Sequence, residues 1–257
     1  MSKHRWIVWV LALGLGLGAV PALAADHDTV RPAATKENIQ AGKRIYMRAC
    51  MGCHGLKGMG EGPVAYFQAR DLAPRPRDFT SGVYKFRVTA TGEMPLDEDL
   101  FRTVTKGIPG FMPPFGSLTV RERWQVIYYI KSLAQEFWEG EPPQEIPVGT
   151  PIPSTSISIQ RGEQVYKELK CWECHGFSGQ GDGPAAGEQK DDWGFRILPA
   201  DLTKPDSFKN GHRKEDIYRT FMTGLNGTPM PSYQDTFENL EDAWHLVNFI
   251  LSLSARE

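Results

Sequence analysis

Cysteine is scarce in this 257-residue chain: four in all, confined to two close pairs, Cys50/Cys53 and Cys171/Cys174. A disulphide-dense scaffold is thereby excluded, and no spare thiol is left to serve elsewhere. Long apolar runs are missing beyond the first residues, so no later segment offers the roughly 20 residues that a membrane-spanning helix needs. Strong alternation of apolar and polar residues is absent too, which argues against strands and for an all-α fold. Neither charge sign dominates: 29 Lys+Arg stand against 31 Asp+Glu, a net charge of −2. That balance excludes a strong preference for polyanions, and with it nucleic acid as a partner. The glycine run Gly58–Gly62 lacks the Lys-Ser/Thr of a phosphate-binding loop, and no strand precedes it.

What the chain does have is one short pattern written twice. Cys50-Met51-Gly52-Cys53-His54 is matched by Cys171-Trp172-Glu173-Cys174-His175. C-x-x-C-H is the attachment signature of c-type haem. Two intervening residues let one turn of chain span the porphyrin edge, so that Cys50, Cys53, Cys171 and Cys174 can each add to a haem vinyl group. His54 and His175 then stand where a neutral imidazole ligates iron from the proximal side. The rival reading, local disulphides Cys50–Cys53 and Cys171–Cys174 or dithiol sites, leaves both histidines unexplained. Two covalently bound haem c groups are the expected cofactors.

The repeat extends well beyond the motif. Ile39-Gln40-x-Gly42-x-x-x-Tyr46 answers Ile159-Gln160-x-Gly162-x-x-x-Tyr166 before it. After it, Gly55-x-x-Gly58-x-Gly60-x-Gly62-Pro63 answers Gly176-x-x-Gly179-x-Gly181-x-Gly183-Pro184. Glu98 to Thr103 then matches Glu215 to Thr220, and Trp124 to Leu133 matches Trp244 to Leu253. A duplicated domain is implied, with one haem in each copy. The expected organisation is a signal peptide over 1–24, a first domain over 25–138, a proline-rich linker over 139–154 and a second domain over 155–257. The linker holds Pro142, Pro143, Pro147, Pro151 and Pro153 and reads as an extended, semi-rigid connector with no core of its own. Three main helices are expected per domain. The first pair runs Lys36 to Ala49 and Ile159 to Lys170. The second pair runs Glu98 to Lys106 and Glu215 to Thr223, stopped by Gly107 and Gly224. The third pair starts behind Thr119, which forms a capping-box pattern with Glu122, and behind Asn239. Small domains of this kind bury a low fraction of their surface, and a covalently held haem supplies the missing centre of the core. Loss of haem is therefore expected to unfold a domain.

The amino terminus carries Lys3 and Arg5, an apolar run from Trp6 to about Leu17, and Ala22-Leu23-Ala24 before Ala25. This is the layout of a secretory signal peptide; the alternative is an uncleaved anchor. An exported protein of the bacterial periplasm follows, which also fits the compartment of haem c attachment. The halves differ in charge: residues 25–138 hold 16 Lys+Arg and 12 Asp+Glu, residues 139–257 hold 11 and 19. Opposite ends could steer different partners.

A second axial ligand must come from late in each domain. Gly107-Ile108-Pro109-Gly110-Phe111-Met112-Pro113 and Gly224-Leu225-Asn226-Gly227-Thr228-Pro229-Met230-Pro231 align Met112 with Met230. They stand 58 residues after His54 and 55 after His175. The prolines behind them restrict the backbone, and a thioether favours ferrous iron. Met112 and Met230 are the expected ligands. Met94, Met222 and His212 are weaker rivals because none has a counterpart in the other copy. His245 reads as a packed or surface histidine. Tyr84, Phe86, Trp193 and Phe195 are expected to wall the haems, and Arg77, Lys85, Arg87 and Arg196 to pair with propionates.

On these motifs, the Met-Pro loops and the final Trp-bearing helices, the chain resembles the two-domain, dihaem class I cytochromes c of the cytochrome c4 type. The resemblance covers essentially all of the mature chain and implies a helical cytochrome c fold in each half, with two nearby haems. Segments 72–96 and 188–210 are longer than a minimal domain requires. Arg77-Asp78-Phe79-Thr80 and Ala200-Asp201-Leu202-Thr203 are similar to cytochromes that accompany periplasmic respiratory oxidoreductases. The implied function is electron carriage between redox proteins (an oxidoreductase, an oxidase or a quinol-oxidising complex), or service as a relay subunit, without catalysis. Membrane contact would come only through a partner or an uncleaved leader. The alternatives are a dihaem peroxidase or thiosulfate dehydrogenase with an open axial site, and a purely structural haem subunit. Thiosulfate dehydrogenases often use a Cys ligand, and this chain has none to spare.

Overall fold

A computed structural model describes residues 30–65 and 74–254; the expected signal peptide lies outside the described residues. The first half contains α1 (Lys36–Ala49), α2 (Met51–His54), α3 (Asp97–Lys106) and α4 (Val120–Lys131), which runs on into a 3-10 segment, Ser132–Trp138. The second contains α5 (Ser156–Glu168), α6 (Trp172–His175), α7 (Lys214–Thr223) and α8 (Leu240–Leu253), with short 3-10 turns at Ala186–Glu188 and Pro205–Ser207. Among the described residues there is no strand, and three isolated bridges are the nearest thing to one. The fold is all-α, built as two tandem helical domains of matching layout.

Local chemistry sets most helix ends. Thr35 Oγ1 accepts from Asn38 N at 3.3 Å at the start of α1. Both capping-box bonds of Thr119 and Glu122 form, at 3.1 and 3.0 Å. Asn239 Oδ1 accepts from Glu241 N at 3.0 Å before α8. Gly107 and Gly224, at φ 68° and 65°, end α3 and α7. Three helix starts differ from expectation. Helix α5 begins at Ser156 because Thr155 Oγ1 caps Ser158 N at 3.1 Å. Helices α3 and α7 each start one residue early, ahead of a buried carboxylate. In the first domain that group is Asp99, whose Oδ2 accepts from Val88 N and Leu96 N, both at 3.0 Å. In the second it is Asp216, bound by Arg213 at 3.0 and 3.2 Å.

Packing repeats as the sequence does. Helix α1 lies across α4, and α5 across α8. At each crossing a glycine replaces a side chain. A Cβ on Gly42 would sit 1.8 Å from Gln125 O, and one on Gly162 2.0 Å from His245 O. Ile45, Tyr46, Val126 and Ile127 fill the first core; Val165, Tyr166, Leu246, Val247 and Phe249 fill the second. Full burial of such a side chain contributes about 1.5–3 kcal/mol.

The two domains are joined by more than chain continuity. Arg87 is fully buried and donates to Ala90 O at 3.1 Å and to Thr223 O at 2.6 Å, with Gly224 O at 3.5 Å. It thus occupies carbonyls at the C-terminal end of α7, which lack helical partners. Asn226 Oδ1 accepts from Thr91 Oγ1 and Gly92 N at 3.0 and 3.3 Å. The proline-rich segment is stitched down as well. Ile146 N donates to Val88 O at 2.8 Å, Arg219 reaches Glu145 at 2.8 Å, and the Ile146 side chain is buried in the second core. The segment has no core of its own, but it is not bare: Ile146, between the prolines, has the second domain's core within reach.

Gly42→Ala and Gly162→Ala are each expected to lower the unfolding midpoint of the haem-loaded protein, at a cost of about 1–3 kcal/mol. Denaturant titration checks this; unchanged stability would contradict the close helix crossing.

Candidate haem sites

Each proximal histidine closes a one-turn helix, α2 or α6, that begins beside the first cysteine of its pair. His54 Nδ1 lies 3.0 Å from Arg77 O, and His175 Nδ1 lies 3.0 Å from Ala200 O. A carbonyl can only accept, so Nδ1 carries the proton and Nε2 keeps its lone pair for a metal. Burial lowers the pKa of both imidazoles and so favours the neutral, ligating form. His54 is also stacked on Phe79, with ring centroids 4.4 Å apart.

The glycine runs fold back over the motif and hold its backbone. Gly60 N donates to His54 O at 2.9 Å and Gly181 N to His175 O at 2.8 Å. Phe79 N and Leu202 N bond Gly58 O and Gly179 O at 2.7 and 2.6 Å, which brings up the segments carrying Arg77 O and Ala200 O. Gly60 has φ 77°, and a Cβ there would meet Pro76 O at 2.4 Å, so both conformation and space require glycine. Tyr46 Oη and Tyr166 Oη donate to Gly55 O and Gly176 O, each at 2.7 Å.

The second domain encloses a cavity of about 780 Å³ lined by Cys171, Cys174, His175 and Met230, with Phe221, Leu246 and Ile250 among its apolar walls. That volume falls within the ~300–1,000 Å³ usual for cofactor pockets. Two thiols at one edge, an imidazole, a thioether and hydrophobic walls fit haem c. In the first domain Cys50, Met51 and Met112 pack, partly buried, against one core. Ile108 N bonds Met112 O at 2.8 Å, and Leu225 N bonds Met230 O at 3.1 Å, so both methionines end matching loops. No disulphide joins the four cysteines. Burial pushes Cys50 up to about 11 and Cys171 up to about 12, opposite to what a redox dithiol needs.

The other candidates separate cleanly. Met222 is core, and His245 Nδ1 lies 2.8 Å from Ser158 Oγ as a packed histidine. His212 is half exposed, 3.5 Å from Asp206. Met94 packs against the first core, as Met112 does. Tyr84 is buried 6.5 Å from the Phe79 ring. Arg196 pairs through its backbone with Lys190 in an isolated antiparallel bridge. Phe86 lines the second domain's cavity. Trp193 and Phe195 stand under the guanidinium groups of Arg77 and Arg75, 4.8 and 5.1 Å from the ring centres, along a groove between the domains. Arg87 is committed to backbone carbonyls. Sequence reasoning missed Lys209 and the turn Pro109-Gly110-Phe111, which line the second cavity. It named Tyr46 and Tyr166 only as repeat positions, although their recurrence was a signal. Among the described residues no cluster of three or more His, Cys, Asp and Glu is placed to hold a bare metal ion.

Comparison with known families agrees with this geometry in both halves. The profile of cytochrome c oxidase, cbb3-type, subunit III matches residues 37–130, and that of cytochrome c matches residues 159–254. The chain belongs to the dihaem c-type cytochromes. Among solved structures, the cytochrome is similar to a chain of the Kuenenia stuttgartiensis reducing HAO-like protein complex. The two are 42% identical, with a TM-score of 0.77, over 83% of this chain and 96% of that one. No curated protein gives a significant match. Among the described residues of the cytochrome, no helix is long and apolar enough to cross a membrane.

Tyr46→Phe and Tyr166→Phe each leave a buried glycine carbonyl of the cytochrome without its donor. A loss of about 1–3 kcal/mol is expected for either, read by denaturant unfolding; a neutral substitution would show that the bond does not hold the turn behind the histidine.

Proposed function

We propose that this cytochrome is exported to the periplasm and carries electrons between redox proteins, as a free carrier or as the relay subunit of an oxidoreductase complex. The observation that carries the reading is the presence of His175 and Met230 in the lining of one cavity whose edge holds Cys171 and Cys174. Cytochrome c domains transfer electrons, and membership in that class supports the general role. The similarity to a chain of a reducing HAO-like protein complex supports the relay form. The leader-like residues 1–24 support export.

In this reading Cys50, Cys53, His54 and Met112 would hold one haem c, and Cys171, Cys174, His175 and Met230 would hold the other. Haem c bound there supplies a one-electron ferric/ferrous couple. The chain's own contribution is to orient each imidazole through a carbonyl, to present each thioether on a proline-bounded loop, and to exclude water with apolar walls. Thioether ligation and burial both favour the ferrous state and raise the potential. Filling both axial positions leaves no place for a substrate, so the protein itself is assigned no catalysis.

Two haems per chain are expected in the native protein, both low-spin, with a sulfur-to-iron charge-transfer band when oxidised and no binding of carbon monoxide. Met112→Ala and Met230→Ala are each expected to open one haem, so that half of the total binds carbon monoxide. A native protein with one high-spin, carbon monoxide-binding haem would favour a dihaem enzyme instead.

A further inference from the structure

The cavity of the second domain is not closed by that domain alone. Lys85, Phe86 and the turn Pro109-Gly110-Phe111, all from the first domain, form part of its wall. Lys209 meets them from the second domain, its Nζ 4.7 Å from the centre of the Phe111 ring. The loop that presents Met112 therefore also encloses the neighbouring site.

Charge around the cavity is unevenly matched. Of its three lysines, Lys170 is largely exposed beside Cys171 and lies 3.8 Å from Glu173. Of the two lining carboxylates, Asp201 is paired with Lys204 at 2.7 Å, and Asp206 is exposed to solvent, 3.5 Å from the His212 ring. Lys85 and Lys209 have no carboxylate within ion-pair distance among the described residues. Both are held below the usual lysine range. Burial, then the nearby charges of Arg77 and Lys209, bring Lys85 down to about 7 against the opposing pull of Asp191, and burial lowers Lys209. Two ammonium groups at the rim of an apolar cavity are costly unless an anion lies between them. Haem is an apolar disc with two carboxylates, borne on the part of the ring away from its vinyl groups. With the vinyl edge fixed by Cys171 and Cys174, those carboxylates point to the rest of the rim.

We propose that Lys85, reaching across from the first domain, receives a propionate of the haem held by the second domain together with Lys209, so that the second site is complete only when the domains are docked. This rests on the assignment of haem c to the second cavity. Lys85 is then a positioning residue. It offsets propionate charge that would otherwise stabilise ferric iron, and it ties the potential of one domain to contact with the other. Lysine suits the role because its flexible stem can carry a compact charge over the rim.

The experiment is an optically followed redox titration of the haem-loaded protein carrying Lys85→Gln, with Lys85→Arg and Lys209→Gln beside it. The midpoint belonging to the second site is the one displaced in Met230→His. Lys85→Gln is expected to leave that site about tenfold less reduced at a fixed poise, or 59 mV for one electron, and to leave the first site's midpoint in place. Lys85→Arg should restore the midpoint, and Lys209→Gln should shift it in the same direction as Lys85→Gln. A shift of the first site alone, equal shifts at both, or no shift in a fully loaded protein overturns this inference and leaves the assignment of haem intact. A protein with no haem at Cys171 and Cys174 overturns both.

Discussion

A single hydrogen bond, made twice, governs how each domain is arranged: a partly buried imidazole gives its Nδ1 proton to a backbone carbonyl 3.0 Å away. Once that bond is fixed, the ring cannot turn and the other nitrogen is committed to the cavity. The acceptor must come from chain well beyond the histidine, Arg77 in one domain and Ala200 in the other. That requirement accounts for the glycine runs between, which fold back onto the motif and deliver the acceptor segment through the bonds at Gly58 and Gly179. The glycines are thus a device for supporting an imidazole. Phosphate recognition has no part in their arrangement.

The halves are equivalent inside and different where they meet. Cysteines, histidine, tyrosine, glycine crossing and methionine loop occur in both. The interface instead draws on unlike residues. Arg87 from the first domain ends on the carbonyls that close α7 of the second. Arg75 and Arg77 lie over Phe195 and Trp193. Arg77 joins both roles: its carbonyl holds His54 while its guanidinium rests on the second domain. The stretches that exceed a minimal domain, 72–96 and 188–210, supply most of these contacts, so the additional length builds the joint between domains.

Much of this was legible in the sequence, because local and repeated signals carry it. The spacing of C-x-x-C-H placed both histidines, and the capping box at Thr119 fixed the start of α4. Recurrence of the Met-Pro loops singled out Met112 and Met230. Other features depend on contacts between distant residues, which no local pattern encodes. Arg87 and Lys85 stand two residues apart and look alike as basic residues, yet one is enclosed among carbonyls and the other lines a cavity of the opposite domain. Phe86 was expected to wall a haem, and only the packing of the domains shows that it lines the cavity of the opposite one. Ile146 sits among prolines that suggested a bare spacer, and only the nearby second core reveals why it is buried.

Iron K-edge X-ray absorption of the oxidised, haem-loaded protein bears most directly on the claim that each pocket grips its metal between an imidazole and a thioether. The account predicts one sulfur scatterer per iron, averaged over both sites, alongside five nitrogens. Half a sulfur per iron, or none, would contradict it.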